Sequence, residues 1–452
     1  MTLVAAPPLL LAAAACLAFA VRKRLRIVAP FSLLAIALAG VLVAVIAPDT
    51  SDSILDLDVR VSPLGRLAGL VLLGTLLLLV VDVWIDEPAY NFFPTALAVG
   101  AAMLALFVVV APLAIFTLLV LALLVPVGSF TFQIQRNRSV EAATRHFAFV
   151  ALGGSLGIAA LALTASLPHD QPANTFVLLA IVLVVAFALL LAAIPFHTHA
   201  ALLAAEAPAS ALALYVGVLV PTTFVAFAEI LTLSGLLPAI AQVVKIQDVL
   251  HSIGLLSAIG GAFLACGAPD LRRLVVYSVI SNLGAAIVGM ATLSGPGIIG
   301  AIASVLVTGA SASAQLLAAG TLERRSAGVW ATADRAPLAA LGFVAGGFAM
   351  VGAPPLLGFP GRFFIELIAY QFALLTGAAL VVSTLLLIVA QLRAVIQLFG
   401  GGLSWSIESR PIAGIISGVI FVALLIGGIQ PSGFLAPIAS FADEFLKAMR
   451  PL

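Results

Sequence analysis

The chain predicts an all-α polytopic membrane fold of about 14 transmembrane helices, and three observations carry that prediction. Hydrophobic residues make up 63% of the 452 positions and charged residues only 9%. Apolar runs of about 20 residues, the length that spans a hydrocarbon core, follow one another from end to end. Arginine and lysine gather in alternate connections between those runs.

In order, the apolar segments lie near 3–20, 27–47, 64–85, 94–110, 112–133, 143–166, 174–200, 208–236, 249–267, 273–293, 297–321, 336–370, 374–400 and 411–430. The first, VAAPPLLLAAAACLAFAV, precedes the cationic stretch RKRLR. A secretory signal carries its charges in front of the apolar run, so this one reads as a membrane helix. With the first residue outside, the inner connections collect Arg22, Lys23, Arg24 and Arg26, then Arg136, Arg138 and Arg145, then Arg272 and Arg273. They continue with Arg324, Arg325 and Arg335, then Arg393 and Arg410. The outer connections hold Arg60, Arg66, Lys245, Lys447 and Arg450 beside the acidic residues Asp49, Asp52, Asp56 and Asp58. Positive connections stay on the cytoplasmic face, so an even number of spans in the cell inner membrane, with both termini on the outer side, is expected. The bilayer acts as solvent, and one transmembrane domain, 1–452, absorbs the whole length.

Two segments carry interruptions that a plain anchor does not need. The seventh is broken at Pro195, and the twelfth contains GAPPLLGFPGR, residues 352–362. Backbone freed by such breaks is tolerated in a bilayer only where protein or water satisfies it, and breaks in corresponding positions mark two inverted halves. Their separation by five spans predicts inverted five-helix repeats over 93–236 and 249–400. The plainer alternative is that proline and glycine kink two packed helices.

The formal net charge of +1 excludes a nucleic-acid surface as the main business of the chain and points to membrane proteins and lipid as partners. Cys16 and Cys266 stand far apart in apolar segments, with no metal spacing around them. No phosphate loop, dinucleotide fingerprint or nucleophilic triad is present, so neither a cofactor nor a catalytic site is expected in this chain.

Four stretches carry a resemblance to a known family. They are RSVEAATRHF (138–147), PFHTHAALLAAEAPASALALYVGVL (195–219), PDLRRLVVYSVISNLG (269–284) and GAPPLLGFPGRFFIEL (352–367). In order and spacing they resemble signatures of the antiporter-like membrane subunits shared by respiratory complex I, related membrane-bound nickel–iron hydrogenases and Mrp cation/proton antiporters. The resemblance implies about 14 helices in two inverted five-helix repeats. It also implies a mid-membrane line of ionisable groups that passes protons, with membrane subunits and peripheral redox subunits as partners.

This sequence departs from that line, as a degenerate member would. The fifth-span glutamate is absent, because no Asp or Glu lies between Glu87 and Glu141. The family's seventh-span lysine aligns with Leu190 and the following lysine with Pro221, while its eleventh-span ionisable pair aligns with Thr308 and Ala312. Only the twelfth-span cation remains, as Arg362, and an arginine sets a field better than it relays a proton. Arg362 and Glu366 stand one helical turn apart, a spacing that suits either a structural ion pair or part of a transport path. His197 and His199 follow the first break, and each is either a relay or a satisfied helix-end histidine. Glu206 sits where a helix N-terminus welcomes a carboxylate, which makes capping its expected task. Glu229 falls near the outer interface. Asn282, with Tyr277, Ser278 and Ser281, either lines a short hydrated path or ties helices together.

The leading reading is therefore an antiporter-like subunit of a complex I-like, hydrogenase-like or Mrp-like assembly, involved in proton or cation translocation with its own path weakened or lost. A purely structural scaffold subunit and a free-standing secondary transporter of a small solute are the alternatives.

Overall fold

The computed structural model describes residues 3–54, 57–86, 89–131, 138–167, 173–242, 244–325, 333, 336–400 and 411–449. Glu87, Arg136, Arg335, Arg410, Arg450 and Asp56 lie outside the described residues, as do the side chains of Arg325 and Lys245.

The chain is nearly all helical. It opens with α1 (Ala6–Ala20), α2 (Leu25–Val45), a short hairpin β1 (Ser51–Ile54) and β2 (Leu57–Arg60), and α3 (Pro63–Ile85). There follow α4 (Phe92–Leu106), α5 (Pro112–Leu124), α6 (Ser139–Ser166), α7 (Ala173–Leu190), α8 (Thr198–Glu206), α9 (Ala209–Leu214) and α10 (Val220–Leu233). After the short α11 (Leu237–Gln242) come α12 (Val244–Cys266), α13 (Leu271–Ala291), α14 (Gly295–Arg325), α15 (Pro337–Met350) and α16 (Gly358–Phe372). The chain closes with α17 (Leu374–Phe399), α18 (Ile412–Ile429) and α19 (Ser432–Ala448).

Among the described residues, 11 helices are long and apolar enough to cross a membrane. The apolar helices that fall short are α4, α7 and α15, and the last two are the leading halves of the interrupted segments. The interior is built from the span Ala209–Leu233, wholly buried, with α13 and α14, each 94% buried over the apolar window. α6, α17 and α18 leave most of their apolar surface outward, as lipid-facing helices do.

Inner helices approach closely because glycine and other small residues face each other. A Cβ on Gly284 of α13 would fall 2.2 Å from Ala258 N of α12. Pro221 lacks the N–H that continues a helix, and it stands in the first turn of α10, just after a π-turn at Tyr215–Leu219.

Both predicted breaks are real, and their freed polar groups are met by neighbouring helices. Past the end of α7, Ile194 N donates to Ser257 Oγ of α12 at 3.0 Å. At the second break, the Met350 carbonyl accepts from Asn282 Nδ2 at 2.9 Å, and Leu357 N donates to the Leu424 carbonyl of α18 at 2.9 Å. Gly352 takes φ +76° there, a backbone setting that glycine adopts freely. Pro195, Pro354 and Pro355 themselves lie on the outer surface of the chain. A pyrrolidine ring has no N–H to satisfy, so the hydrogen-bonding groups are shielded and the apolar rings need not be.

Sequence reading finds neither the hairpin nor α19. α19 is amphipathic and follows the last apolar segment, burying Ile438, Phe441, Ala442 and Phe445. Arg60 at the end of β2 clamps it, with Nη2 at 2.9 Å from Glu444 Oε1 and 3.1 Å from Oε2.

Candidate functional site

Arg362 sits near the N-terminal end of α16, where the helix dipole disfavours a cation. It is held there by acceptors from its own helix and from α13 and α17. Its Nε donates to Glu366 Oε1 at 2.9 Å and to Thr384 Oγ1 of α17 at 3.0 Å. Nη2 reaches the same hydroxyl at 2.6 Å, and Nη1 reaches Asn282 Oδ1 of α13 at 3.1 Å. Thr384 in turn donates to Glu366 Oε1 at 2.6 Å. The expected i, i+4 pair is therefore the centre of a larger network. Asn282 links that network to Thr308 Oγ1 of α14 at 3.3 Å and to the second break through Met350. Beside it, Gln315 Nε2 donates to the Phe343 carbonyl and to Gln391 Oε1, each at 3.0 Å. Gly347 makes room for this amide pair, since a Cβ there would stand 2.5 Å from Gln391 Oε1.

A second, aromatic cluster lies behind the first break. His199 is fully buried, with Nδ1 donating to the Phe196 carbonyl at 3.0 Å and Nε2 facing the Tyr215 hydroxyl at 3.2 Å. A carbonyl can only accept, which makes Nδ1–H the tautomer and leaves Nε2 to receive the Tyr215 proton. His146 of α6 packs edge-on to Tyr215 at 4.9 Å between ring centres and donates from Nε2 to the Leu123 carbonyl at 3.2 Å. Phe149 stacks on His199 at 4.6 Å. His197 occupies the N-cap position of α8, half-buried, and its side chain makes no capping hydrogen bond.

The positions where the family resemblance expects ionisable groups are all buried. Leu190 is 1% exposed, Thr308 3% and Ala312 0%. Pro221 is buried against Gly309, where a Cβ would fall 2.5 Å from the proline Cγ.

Ser278 and Ser281 bond to groups other than Arg362. Ser278 bonds to the Leu274 carbonyl at 2.8 Å, and Ser281 to the Ala258 carbonyl at 2.7 Å. Glu206 requires a correction. It ends α8, and the next helix is preceded by Pro208 with no side-chain capping bond, so the carboxylate caps nothing. It lies instead within electrostatic reach of Arg138, whose guanidinium pairs with Glu141 at 2.7 Å. On the same face Arg272, 3% exposed, grips Glu323 of α14 through Nε at 2.8 Å and Nη2 at 2.5 Å. Its Nη1 reaches the Ala207 carbonyl at 2.6 Å. On the opposite face Glu229 is buried beside the Ser62 hydroxyl, 3.4 Å away, under the Arg60–Glu444 clamp.

Sequence reasoning missed His146, Tyr215, Thr384, Gln315 and Gln391. His146 and Tyr215 stand inside the motifs quoted above, and a lone glutamine in an apolar span is a signal in its own right.

Fold and polar interior together define a polytopic membrane subunit of the antiporter-like class. The family described as "NADH:quinone oxidoreductase/Mrp antiporter, TM" matches residues 142–387, more than half of the chain, and the chain belongs to it. Among curated relatives, NADH-quinone oxidoreductase subunit M of Rickettsia typhi is 29% identical over 192 residues, 41% of this chain and 38% of the relative. Subunit N of Gluconacetobacter diazotrophicus is 29% identical over 276 residues, 57% of this chain and 54% of the relative. The chain thus matches between about two-fifths and just over half of the length of these relatives. A chain of respiratory complex I from Thermus thermophilus superposes with TM-score 0.83 at 20% identity, covering 99% of this chain and 100% of that one. A chain of the Mrp complex from Dietzia sp. does so with TM-score 0.82 at 16% identity and the same coverage. These likenesses extend the antiporter-like fold across the whole chain.

Proposed function

We propose that the chain is an antiporter-like membrane subunit of a multisubunit complex I-like, hydrogenase-like or Mrp-like assembly that translocates protons or cations, and that its own proton path is interrupted. Family membership supports the first half of this reading. One observation supports the second: Leu190, Pro221 and Ala312, where the family resemblance expects ionisable groups, are apolar and buried. A relay needs titrating groups or ordered water in an unbroken line, and tightly packed apolar side chains offer neither.

Further parts of the reading follow. Counting each interrupted segment as one span and including α4 gives 14 spans, with inverted repeats over 93–236 and 249–400. Arg138, Arg272 and Arg324 then share the cytoplasmic face of the inner membrane, and the Arg60–Glu444 clamp and both termini lie outside. Other membrane subunits and peripheral redox subunits are the partners, and electron transfer belongs to the latter.

Liposomes containing only this chain test the reading, with a pH-sensitive dye inside and an imposed potential. Proton entry at the rate of protein-free liposomes is expected. Rapid flux that disappears in Arg362→Met would show that the chain conducts by itself and would overturn the interrupted path. Purification of the tagged chain from its native membrane without companion membrane subunits would overturn the assembly.

A further inference from the structure

A small polar cavity of about 60 Å³ lies at the end of the bundle opposite Arg272, where β2, α10 and α19 meet the start of α3. Glu229, Ser62, Thr232, Arg60 and Glu444 supply its polar wall, and Phe107 and Phe441 add apolar sides. A water needs on the order of 10–15 Å³ and about two to four polar partners, so the cavity has room and partners for more than one. The Arg60 and Glu444 side chains over it are 39% and 41% exposed, whereas Glu229 beneath them is 8% exposed. The cavity therefore leads from water to a buried carboxyl group.

Glu229 is poorly furnished for a full charge. Among the described residues its only hydrogen bond comes from the Ser62 hydroxyl, at 3.4 Å. That hydroxyl is held in place, because its oxygen accepts from Gly65 N at 2.9 Å. The charged groups that act on the carboxyl are Arg60 and Glu444. Arg60 is already taken by Glu444, at 2.9 and 3.1 Å, and by Asp49, at 3.6 Å. Glu444 brings a like charge. Other charges at this end are turned elsewhere: Asp443 and Lys447 of α19 are exposed, and Arg66 of α3 reaches the Ala44 carbonyl. A buried carboxylate needs a counter-charge or several donors, and here neither is free. A proton is the counter-charge that the space admits.

We infer that Glu229 is a proton-binding site served from water through this cavity, with the Arg60–Glu444 clamp as its electrostatic control. The proton sits on a carboxylate oxygen of Glu229 and passes to or from water in the cavity. By holding Arg60, Glu444 keeps the guanidinium from replacing the proton as counter-charge. The site is separate from the Arg362 network and from the aromatic cluster, and the inference is independent of whether the chain conducts protons.

The test treats the purified native assembly in nanodiscs with dicyclohexylcarbodiimide, which adds to a protonated carboxyl group in apolar surroundings and leaves an N-acylurea that peptide mass spectrometry locates. At about pH 7 Glu229 should be labelled and the water-facing Asp443 and Glu444 should not, and the label should fall several-fold as the pH is raised to about 10. Glu444→Gln frees Arg60 to pair with Glu229 and should lower the label several-fold, whereas Arg60→Gln removes the cation and should raise it. A clamp that only limits access would let both substitutions raise the label, and that result would overturn the inference. An unlabelled Glu229 in the unsubstituted assembly would do the same. Sodium chloride in place of choline chloride at equal ionic strength should leave the label unchanged, and protection by sodium would make a metal cation the ligand instead of a proton. Glu229→Gln has the shape of the protonated acid and should leave the yield of the assembly unchanged; a lost yield would show that a charged carboxylate is required there and would also reject the inference.

Discussion

The two interrupted segments hold polar interiors of opposite electrostatic character. Behind α7, the polar groups are His146, His199 and Tyr215, bonded to one another or to the Leu123 and Phe196 carbonyls, with rings packed against Phe130 and Phe149. Behind α15, a guanidinium and a carboxylate are joined through Thr384 and Asn282 across α13, α16 and α17. A neutral ring needs one or two hydrogen bonds to lie among apolar neighbours. A permanent cation needs a counter-charge and acceptors for its remaining donors. Both clusters draw on several helices, but only the second holds charges that need one another, which makes it the more fragile of the two.

The sharpest way to break this comparison is to remove one charge. Arg362→Met should leave Glu366 without its counter-charge at a cost of about 3 kcal/mol or more. Yield and thermal stability of the assembly should fall accordingly. Glu366→Gln should do the same, and the double substitution should recover much of the loss. Normal yield in Arg362→Met together with lost pumping, not restored by the double substitution, would show that the cation serves transport and not assembly.

A somewhat smaller effect is expected at the Arg272–Glu323 pair. Arg272 is as buried as Arg362, and its partner Glu323, 29% exposed at the side chain against 25% for Glu366, leaves water only slightly better placed to solvate the carboxylate left behind. Arg272→Met should cost about 2 kcal/mol, read as a lower melting temperature. Because Arg272 also holds the Ala207 carbonyl between α8 and α9, protease sensitivity should rise there. An unchanged melting temperature would place the pair among surface bridges of little worth.

Much of this architecture was legible in the sequence, for reasons particular residues make plain. The interruptions announce themselves locally, because proline and glycine act on their own backbone. The Arg362–Glu366 pair is readable from helical spacing alone. Its extension is not, since Thr384 and Asn282 reach it only through the way α13 and α17 cross α16. The hairpin at 51–60 and α19 escape a search for apolar runs because neither is one: α19 mixes Asp443, Glu444 and Lys447 with its buried phenylalanines. Glu206 misleads for a related reason. A carboxylate just before a helix looks like a cap, but Pro208 takes that position and makes no side-chain capping bond.

The smallest expected effect lies in the aromatic cluster, and it sharpens the comparison from the other side. If that cluster is a neutral structural unit, its worth is that of ordinary buried hydrogen bonds. His199→Phe keeps the ring beside Phe149 but strands the Phe196 carbonyl and the Tyr215 hydroxyl, so a loss of about 1–2 kcal/mol is expected. Tyr215→Phe removes the hydroxyl and leaves only His199 Nε2 without a partner, at about 1 kcal/mol. The double substitution should cost less than the sum of the two, because it removes both members of the Tyr215–His199 bond together. Proton translocation by the assembly should be unchanged in all three if the path is interrupted at Leu190 and Pro221 as proposed. A His199→Phe assembly that forms in normal yield but translocates no protons would make His199 a relay. The neutral half would then be the working one, and the contrast drawn between the halves would have to be reversed.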